Sequence, residues 1–271
     1  MKINMVVIAY LSAILSQSVF AGTMGPEGDA EPCWGPADSC SATPQPERTD
    51  YPMRQFLSLS IGPAWSNNGT TQTFYLQPNV QKTYSASFNS NILPYGELFL
   101  GVQKQLNTVF FSQLGLAIAG GSEAKLRGDI WEDADPNFNN FTYSYGVNEL
   151  RITPKIKLLV DSGLYGTLPY VSAAIGVGFN KSREFTITPK IPEEVPPPLF
   201  GSNVNTVFTY ALGIGLQEVL NEHWQASIGY EFADWGKSQL APATGQTLNN
   251  NGLLINNLYI NSVLLSIIYI K

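Results

Sequence analysis

Between residues 54 and 271, apolar and polar side chains alternate with a period of two in eight segments. That period is the pleat of a β-strand, whose successive side chains point to opposite faces. The last segment, 258–271 (LYINSVLLSIIYIK), shows it well. Val263, Leu265, Ile267 and Tyr269 form one apolar face, while Ser262 and Ser266 interrupt the other. Comparable strands are predicted over 56–65, 94–106, 109–120, 147–161, 166–180, 206–218 and 223–233. Four long polar stretches (66–92, 121–146, 181–205 and 234–255) join them in strict alternation with short turns at 107–108, from 162, and near 220–222. This rhythm predicts an all-β fold: an eight-stranded antiparallel transmembrane β-barrel with short periplasmic turns and four long extracellular loops. In lipid no backbone group can stay unpaired, so strands must close into a ring.

The polarity of the two faces separates a membrane barrel from a soluble one. Leu57, Leu59, Ile61, Pro63 and Trp65 alternate with Ser58, Ser60 and Gly62. In the fourth strand Leu150, Ile152, Ile156 and Leu158 oppose Glu149, Arg151, Thr153, Lys155 and Lys157. A charge on the lipid face costs roughly 2–4 kcal/mol at midplane, so the charged face is assigned to the lumen. A soluble barrel would need its large apolar residues inside. The third long stretch carries a proline-rich run (PKIPEEVPPPLFG), which is expected to end the hydrogen-bonded ladder.

Composition agrees with this picture. Charged residues make up 13% of the 271, low against the ~25% of typical soluble domains. The chain has 24 glycines, 13 tyrosines and 14 phenylalanines, which suits strands, turns and interfacial aromatic girdles. A net charge of −6 gives no electrostatic footprint for nucleic acid. The single histidine, His223, removes most histidine-dependent catalysis and most zinc sites. It falls in a short turn and reads as an interfacial polar residue beside Trp224.

The first 21 residues read as an export signal. Lys2 is followed by the apolar run MVVIAYLSAIL, and Val19-Phe20-Ala21 precedes the expected cleavage before Gly22. Residues 22–54 form a proline-, glycine- and acid-rich periplasmic segment that cannot bury enough apolar surface to fold alone. It carries Cys33 and Cys40 in a compartment where disulfides persist. A bridge between them, a link to another chain and free thiols all stay open. The barrel itself is expected over 55–271.

The run IGYEFADWG (228–236) resembles the penultimate-strand motif of the eight-stranded outer-membrane β-barrel family, which includes opacity-type surface antigens and outer membrane protein A-like transmembrane domains. The run AGTMGP (21–26) is similar to the mature start of Legionella-type outer-membrane proteins. The resemblance implies a Gram-negative outer-membrane address and contact with outer-membrane lipid and the barrel-assembly machinery. Such chains usually end in phenylalanine. This one ends Tyr269-Ile270-Lys271, which leaves an aromatic on the same outward face and an altered assembly signal.

Six inward charges form the candidate site: Glu97, Glu149, Arg151, Lys155, Lys157 and Glu231. An eight-stranded barrel is just wide enough for side chains to fill it, and enclosed charges are expensive unless paired. Two readings follow. In one the charges pair into a network that plugs the barrel. In the other Arg151, Lys155 and Lys157 face the three glutamates as the gate of a narrow, porin-like ion or solute path. The acids Asp129, Glu132, Asp133 and Asp135 lack the spacing and glycine of a calcium loop, and Asp234-Trp235 is expected to set an aromatic in the outer girdle. The sequence predicts a monomeric surface protein, not an enzyme, with no catalytic, cofactor or metal site, recognising a host or surface ligand through its long loops.

Overall fold

The computed structural model describes residues 52–66, 69–87, 92–163, 166–248 and 250–271. The expected export signal and the pair Cys33 and Cys40 lie outside the described residues. The chain divides into Met1–Thr49 and a barrel unit, Asp50–Lys271.

In chain order the barrel unit contains β1 (Arg54–Ser66), β2 (Gln72–Gln77), β3 (Val80–Ala86), β4 (Ile92–Gln105) and β5 (Phe110–Gly121). Then come β6 (Ala124–Glu132), β7 (Asn139–Val160), β8 (Thr167–Pro189), β9 (Phe200–Gly201) and β10 (Asn203–Val219). The series ends with β11 (Trp224–Asp234), β12 (Ser238–Gln239), β13 (Ala241–Ala243), β14 (Leu254–Ile255) and β15 (Tyr259–Ile270). Eight of these close a ring. β1, β4, β5, β7, β8, β10, β11 and β15 each pair antiparallel with the next, and β15 returns to β1. They correspond one to one with the eight strands read from the alternation.

Outward positions form an apolar belt. Leu57, Leu59 and Ile61 on β1, Leu150 and Ile152 on β7, and Ile175 and Val177 on β8 are all exposed. Their inward neighbours Ser58, Ser60, Arg151, Thr153 and Ala174 are buried. The pair Phe56↔Ile270 sets the two ends of the barrel chain side by side at the short-turn end. Each short turn there is held by an Asx side chain. Asn107 Oδ1 accepts from the amides of Val109 (2.9 Å) and Phe110 (2.8 Å). Asn221 Oδ1 repeats this with His223 (3.0 Å) and Trp224 (2.9 Å), and Asp161 Oδ1 accepts from Gly163 N–H at 2.9 Å. The His223 ring stacks on Tyr269 with centroids 6.0 Å apart, and Trp224 meets the same ring edge-on.

At the other end the structure departs from the expected polar loops. Much of 66–92 and 121–146 is sheet: β2 pairs with β3, β3 with β6, and β6 with β7. β7 runs for 22 residues and β8 for 23, well past the belt. β8 extends through 181–188 of the expected third loop, and its ladder ends at Phe141↔Pro189, the first residue of the proline run, as that run predicts. The reason is a reversal of polarity. In this upper part Phe74, Tyr84, Ile130, Phe141, Tyr143 and Phe185 point inward and are buried, while Thr142, Ser144 and Thr186 point outward. Outside the bilayer the wall faces water, so its interior must be apolar.

Candidate functional site

The site is the lumen of the belt region. β7 sends Arg151 and Lys155 inward from one face, four residues apart, toward Glu97 of β4 and Glu231 of β11. Lys155 Nζ lies 2.5 Å from Glu97 Oε1 and 3.0 Å from Glu231 Oε2. Arg151 Nη2 donates to Glu231 Oε1 and lies 3.8 Å from Glu97 Oε2. Each cation therefore meets both carboxylates, and the four side chains form a closed ring with Arg151 at 0% exposure. Aromatic faces flank it. The Arg151 guanidinium sits 5.6 Å from the Tyr95 ring centroid and the Lys155 ammonium 5.7 Å from that of Phe99.

The other two expected members stand apart. Lys157 donates to Gln217 Oε1 at 2.6 Å and lies 3.7 Å from the centroid of the Tyr170 ring. Gln217 passes the chain on to Gln225, and across the lumen Gln113 donates to Gln103 at 2.7 Å. Glu149 approaches the Thr209 hydroxyl at 3.3 Å. The six-member network expected from the sequence is thus a four-member ring with a separate lysine–amide layer and a separate glutamate. Sequence reasoning missed the aromatic partners Tyr95, Phe99 and Tyr170, although all occupy the inward phase of their strands.

Apolar and aromatic side chains lie on both sides of the ring. Toward the short turns lies an apolar cluster of Phe56, Phe99, Ala117, Ile268 and Ile270. Toward the long loops Trp235 lies with its ring centroid 6.4 Å from that of Tyr95. Trp235 is fully buried, which corrects its expected place in the outer girdle. Gly236, at φ +73°, follows it in a backbone conformation that favours glycine. Asp234 Oδ1 accepts the Gly236 amide at 2.8 Å, and Asn180 donates to the Trp235 carbonyl at 2.6 Å. Above Trp235 the aromatic cluster begins: Phe185 packs on Phe200 at 5.1 Å and Tyr84 on Phe200 at 5.2 Å. The cavity beside the ring measures about 30 Å³, room for a water or two and far below a solute.

Two of the four acids of the upper hairpin form ion pairs, Glu132 with Lys82 at 2.5 Å and Asp129 with Lys190 at 2.9 Å, and Asp135 accepts from the Asn137 amide at 2.9 Å. Among the described residues no group of three or more His, Cys, Asp or Glu is placed to hold a metal. In the same region burial raises the Tyr84 and Tyr143 phenols well above their ordinary range.

The fold is that of an eight-stranded antiparallel transmembrane β-barrel of the outer-membrane type. The chain is similar to several solved structures. Neisserial surface protein A is similar over 79% of this chain and 96% of its own, at 9% identity and a TM-score of 0.39. Outer membrane protein OprG from Pseudomonas aeruginosa is 12% identical, covering 80% of this chain and 96% of its own, with a TM-score of 0.39. The outer membrane protease OmpT from Escherichia coli is 8% identical, covering 80% and 97%, with a TM-score of 0.41. Similarity at this level sets up no residue-by-residue correspondence. No protein-family model matches the chain, and no curated protein sequence matches it either.

Proposed function

We propose that this chain is a Gram-negative outer-membrane surface protein whose barrel is a closed scaffold and whose long-loop end performs recognition. The observation that carries the closed reading is the ring itself. Arg151, Lys155, Glu97 and Glu231 pair with one another in the lumen, between two apolar clusters, while Arg151 Nε and Nη1 and Glu97 Oε2 have no hydrogen-bond partner. Moving a hydrated ion through would mean separating buried partners that have nothing else to pair with, at a cost of several kcal/mol. The recognition reading rests on the upper extension. It is a packed, sheet-based platform, and it exposes Val195, Phe138 and Tyr75 at 83%, 54% and 46% near its tips. Large apolar side chains held out by a rigid base are the usual material of protein contacts.

Planar-bilayer recording of the refolded chain tests the first half. A silent membrane is expected from protein whose folding is shown by heat-modifiable gel mobility. Discrete conductance steps that change with Arg151 or Lys155 substitution would replace this reading with a narrow channel. For the second half, cells displaying the protein are compared with cells whose residues 190–199 are replaced by glycine and serine. Binding to host-cell surfaces is expected to fall; equal binding by both would remove the recognition role from that loop.

A further inference from the structure

Three of the four long loops meet around one small apolar pocket. Its walls include Leu76 of β2, Val80 of β3, Pro197 and Pro198 of the proline run, and Ala243 of β13. Main-chain bonds fix these walls. Thr247 N–H donates to the Leu76 carbonyl at 3.0 Å and Thr244 N–H to the Leu199 carbonyl at 3.4 Å. Phe200, the register partner of Ala243, anchors them to the aromatic cluster through Phe74 at 5.6 Å and Tyr84 at 5.2 Å. The cavity measures about 110 Å³. An apolar cavity of about 150 Å³ holds a benzene-sized group, so this one admits a single branched aliphatic side chain. It is too small for a whole small-molecule ligand, whose sites begin at about 300 Å³. Val195, Leu199 and Leu248, close to the walls in sequence, are exposed.

The charge around the pocket is of one sign. Residues 71–87, 129–140, 189–199 and 241–248 hold six carboxylates, Asp129, Glu132, Asp133, Asp135, Glu193 and Glu194, against two ammonium groups, Lys82 and Lys190. Both ammonium groups are taken. Lys82, which also lines the pocket, pairs with Glu132 at 2.5 Å, and Lys190 pairs with Asp129 at 2.9 Å. Asp133, Asp135, Glu193 and Glu194 keep uncompensated charge. Two bonds tie them to the pocket. Asp133 N–H donates to the carbonyl of Gln81, between Val80 and Lys82 of the wall, at 3.0 Å. The Asn140 amide donates to Glu194 Oε1 at 3.0 Å, joining the β6–β7 hairpin to the proline run. The opposite side, 241–248, carries no charge.

We propose that this long-loop tip binds a basic segment of a partner protein. One branched aliphatic side chain of that segment fills the pocket as the buried anchor. Lysines or arginines to one side of it lie over Asp133, Asp135, Glu193 and Glu194, whose field steers the encounter and sets its direction. Charge decides between occupants. A second copy of this chain would dock through the same patch on both partners and set these four carboxylates against four more. A basic segment meets them with opposite charge. The walls are fixed before binding, so little ordering is required on this side.

The proposal rests on the reading that the long-loop end performs recognition, and adds the chemistry of what is recognised. The full chain in phosphatidylcholine nanodiscs, whose lipid carries no net charge, is titrated with a pentapeptide of one leucine between two pairs of lysines. Amide NMR reads the binding. Millimolar binding is expected, with shifts concentrated at Val80, Thr244 and Glu193. A peptide with serine in place of the leucine is expected to bind about tenfold more weakly or worse, the effect of leaving that side chain unburied. The variant Asp133→Asn, Asp135→Asn, Glu193→Gln, Glu194→Gln is expected to bind the leucine peptide about tenfold more weakly, and about 0.5 M salt to do the same to the wild type. Equal binding of the two peptides overturns the proposal; so does unchanged binding by the variant, or no binding of the leucine peptide. If that variant does not fold, Thr244→Trp at an exposed position of the mouth is read instead, and undiminished binding by it overturns the proposal too. Cells displaying the protein separate the two failures. Host-surface binding that falls on replacing 190–199 but survives in both variants overturns this proposal alone. Binding that survives all three changes removes the recognition reading with it.

Discussion

The two interiors of this barrel are built on opposite principles by the same strands. Below Glu149, β7 sends Arg151, Thr153, Lys155 and Lys157 inward and shows Leu150, Ile152, Ile156 and Leu158 to the outside. Above Val147 it sends Phe141, Tyr143 and Tyr145 inward and shows Thr142 and Ser144 outside. The inside/outside phase of the strand is continuous; what changes is which kind of residue occupies each phase. Lipid accepts an apolar wall and leaves polar groups to the lumen, whereas water demands the reverse. A bilayer boundary is therefore written into β7 as the point where the pattern inverts.

The contrast can be broken at either end, and the larger effect is expected in the lumen. Arg151→Met leaves Glu97 and Glu231 buried with only Lys155 between them, and should lower stability by about 3–5 kcal/mol. Urea unfolding followed by gel mobility would show it as a large shift of the midpoint. A midpoint within error of the wild type would mean that the ring holds nothing together. Phe185→Ala comes next. It removes a ring that touches Tyr84, Tyr143, Tyr145 and Phe200 and should cost about 3 kcal/mol, the lower end for a buried aromatic. Hydrogen exchange should speed up in β2, β3 and β6 while the belt strands stay protected. Uniform acceleration around the whole ring would show the two interiors to be one cooperative unit.

The smallest effect is expected at Tyr84, whose hydroxyl is buried without a hydrogen-bond partner. Tyr84→Phe should change stability by less than about 1 kcal/mol, in the stabilising direction if at all. The same burial raises the phenol's folded pKa above its unfolded value. Its contribution is thus complete below the unfolded value of about 10 and is lost as pH rises beyond that. Alkaline unfolding above about pH 10 should be blunted in Tyr84→Phe. An identical profile for variant and wild type would remove Tyr84 from the account of alkaline stability.

Much of this molecule was legible from alternation alone, because lipid enforces the period-two pattern over long, regular strands. The eight ring strands and the inward phase of Glu97, Glu149, Arg151, Lys155, Lys157 and Glu231 follow from it directly. Which of those charges meet does not, since pairing depends on positions brought together across the lumen by a closed ring, such as Arg151 with Glu231, 80 residues away. The upper extension was hidden for a different reason. Its strands are interrupted by register shifts, as between Ser144 and Gly146, and its inward aromatics alternate with acids and threonines that read as loop. Trp235 misled because it was placed by residue type: the period of β11, with Trp224, Ile228 and Tyr230 outward and Gln225, Ser227, Glu231 and Ala233 inward, already puts Trp235 on the inward phase.

The length of β7 has a consequence for distance. Its 22 residues, at about 3.3 Å each and tilted by roughly 40°, rise about 55 Å, against an apolar band of about 25 Å. The tips therefore stand about 30 Å clear of the hydrocarbon on a sheet-braced mast. Whatever meets Phe138 or Val195 does so at that stand-off, above the headgroups, where a soluble partner can approach without touching the bilayer.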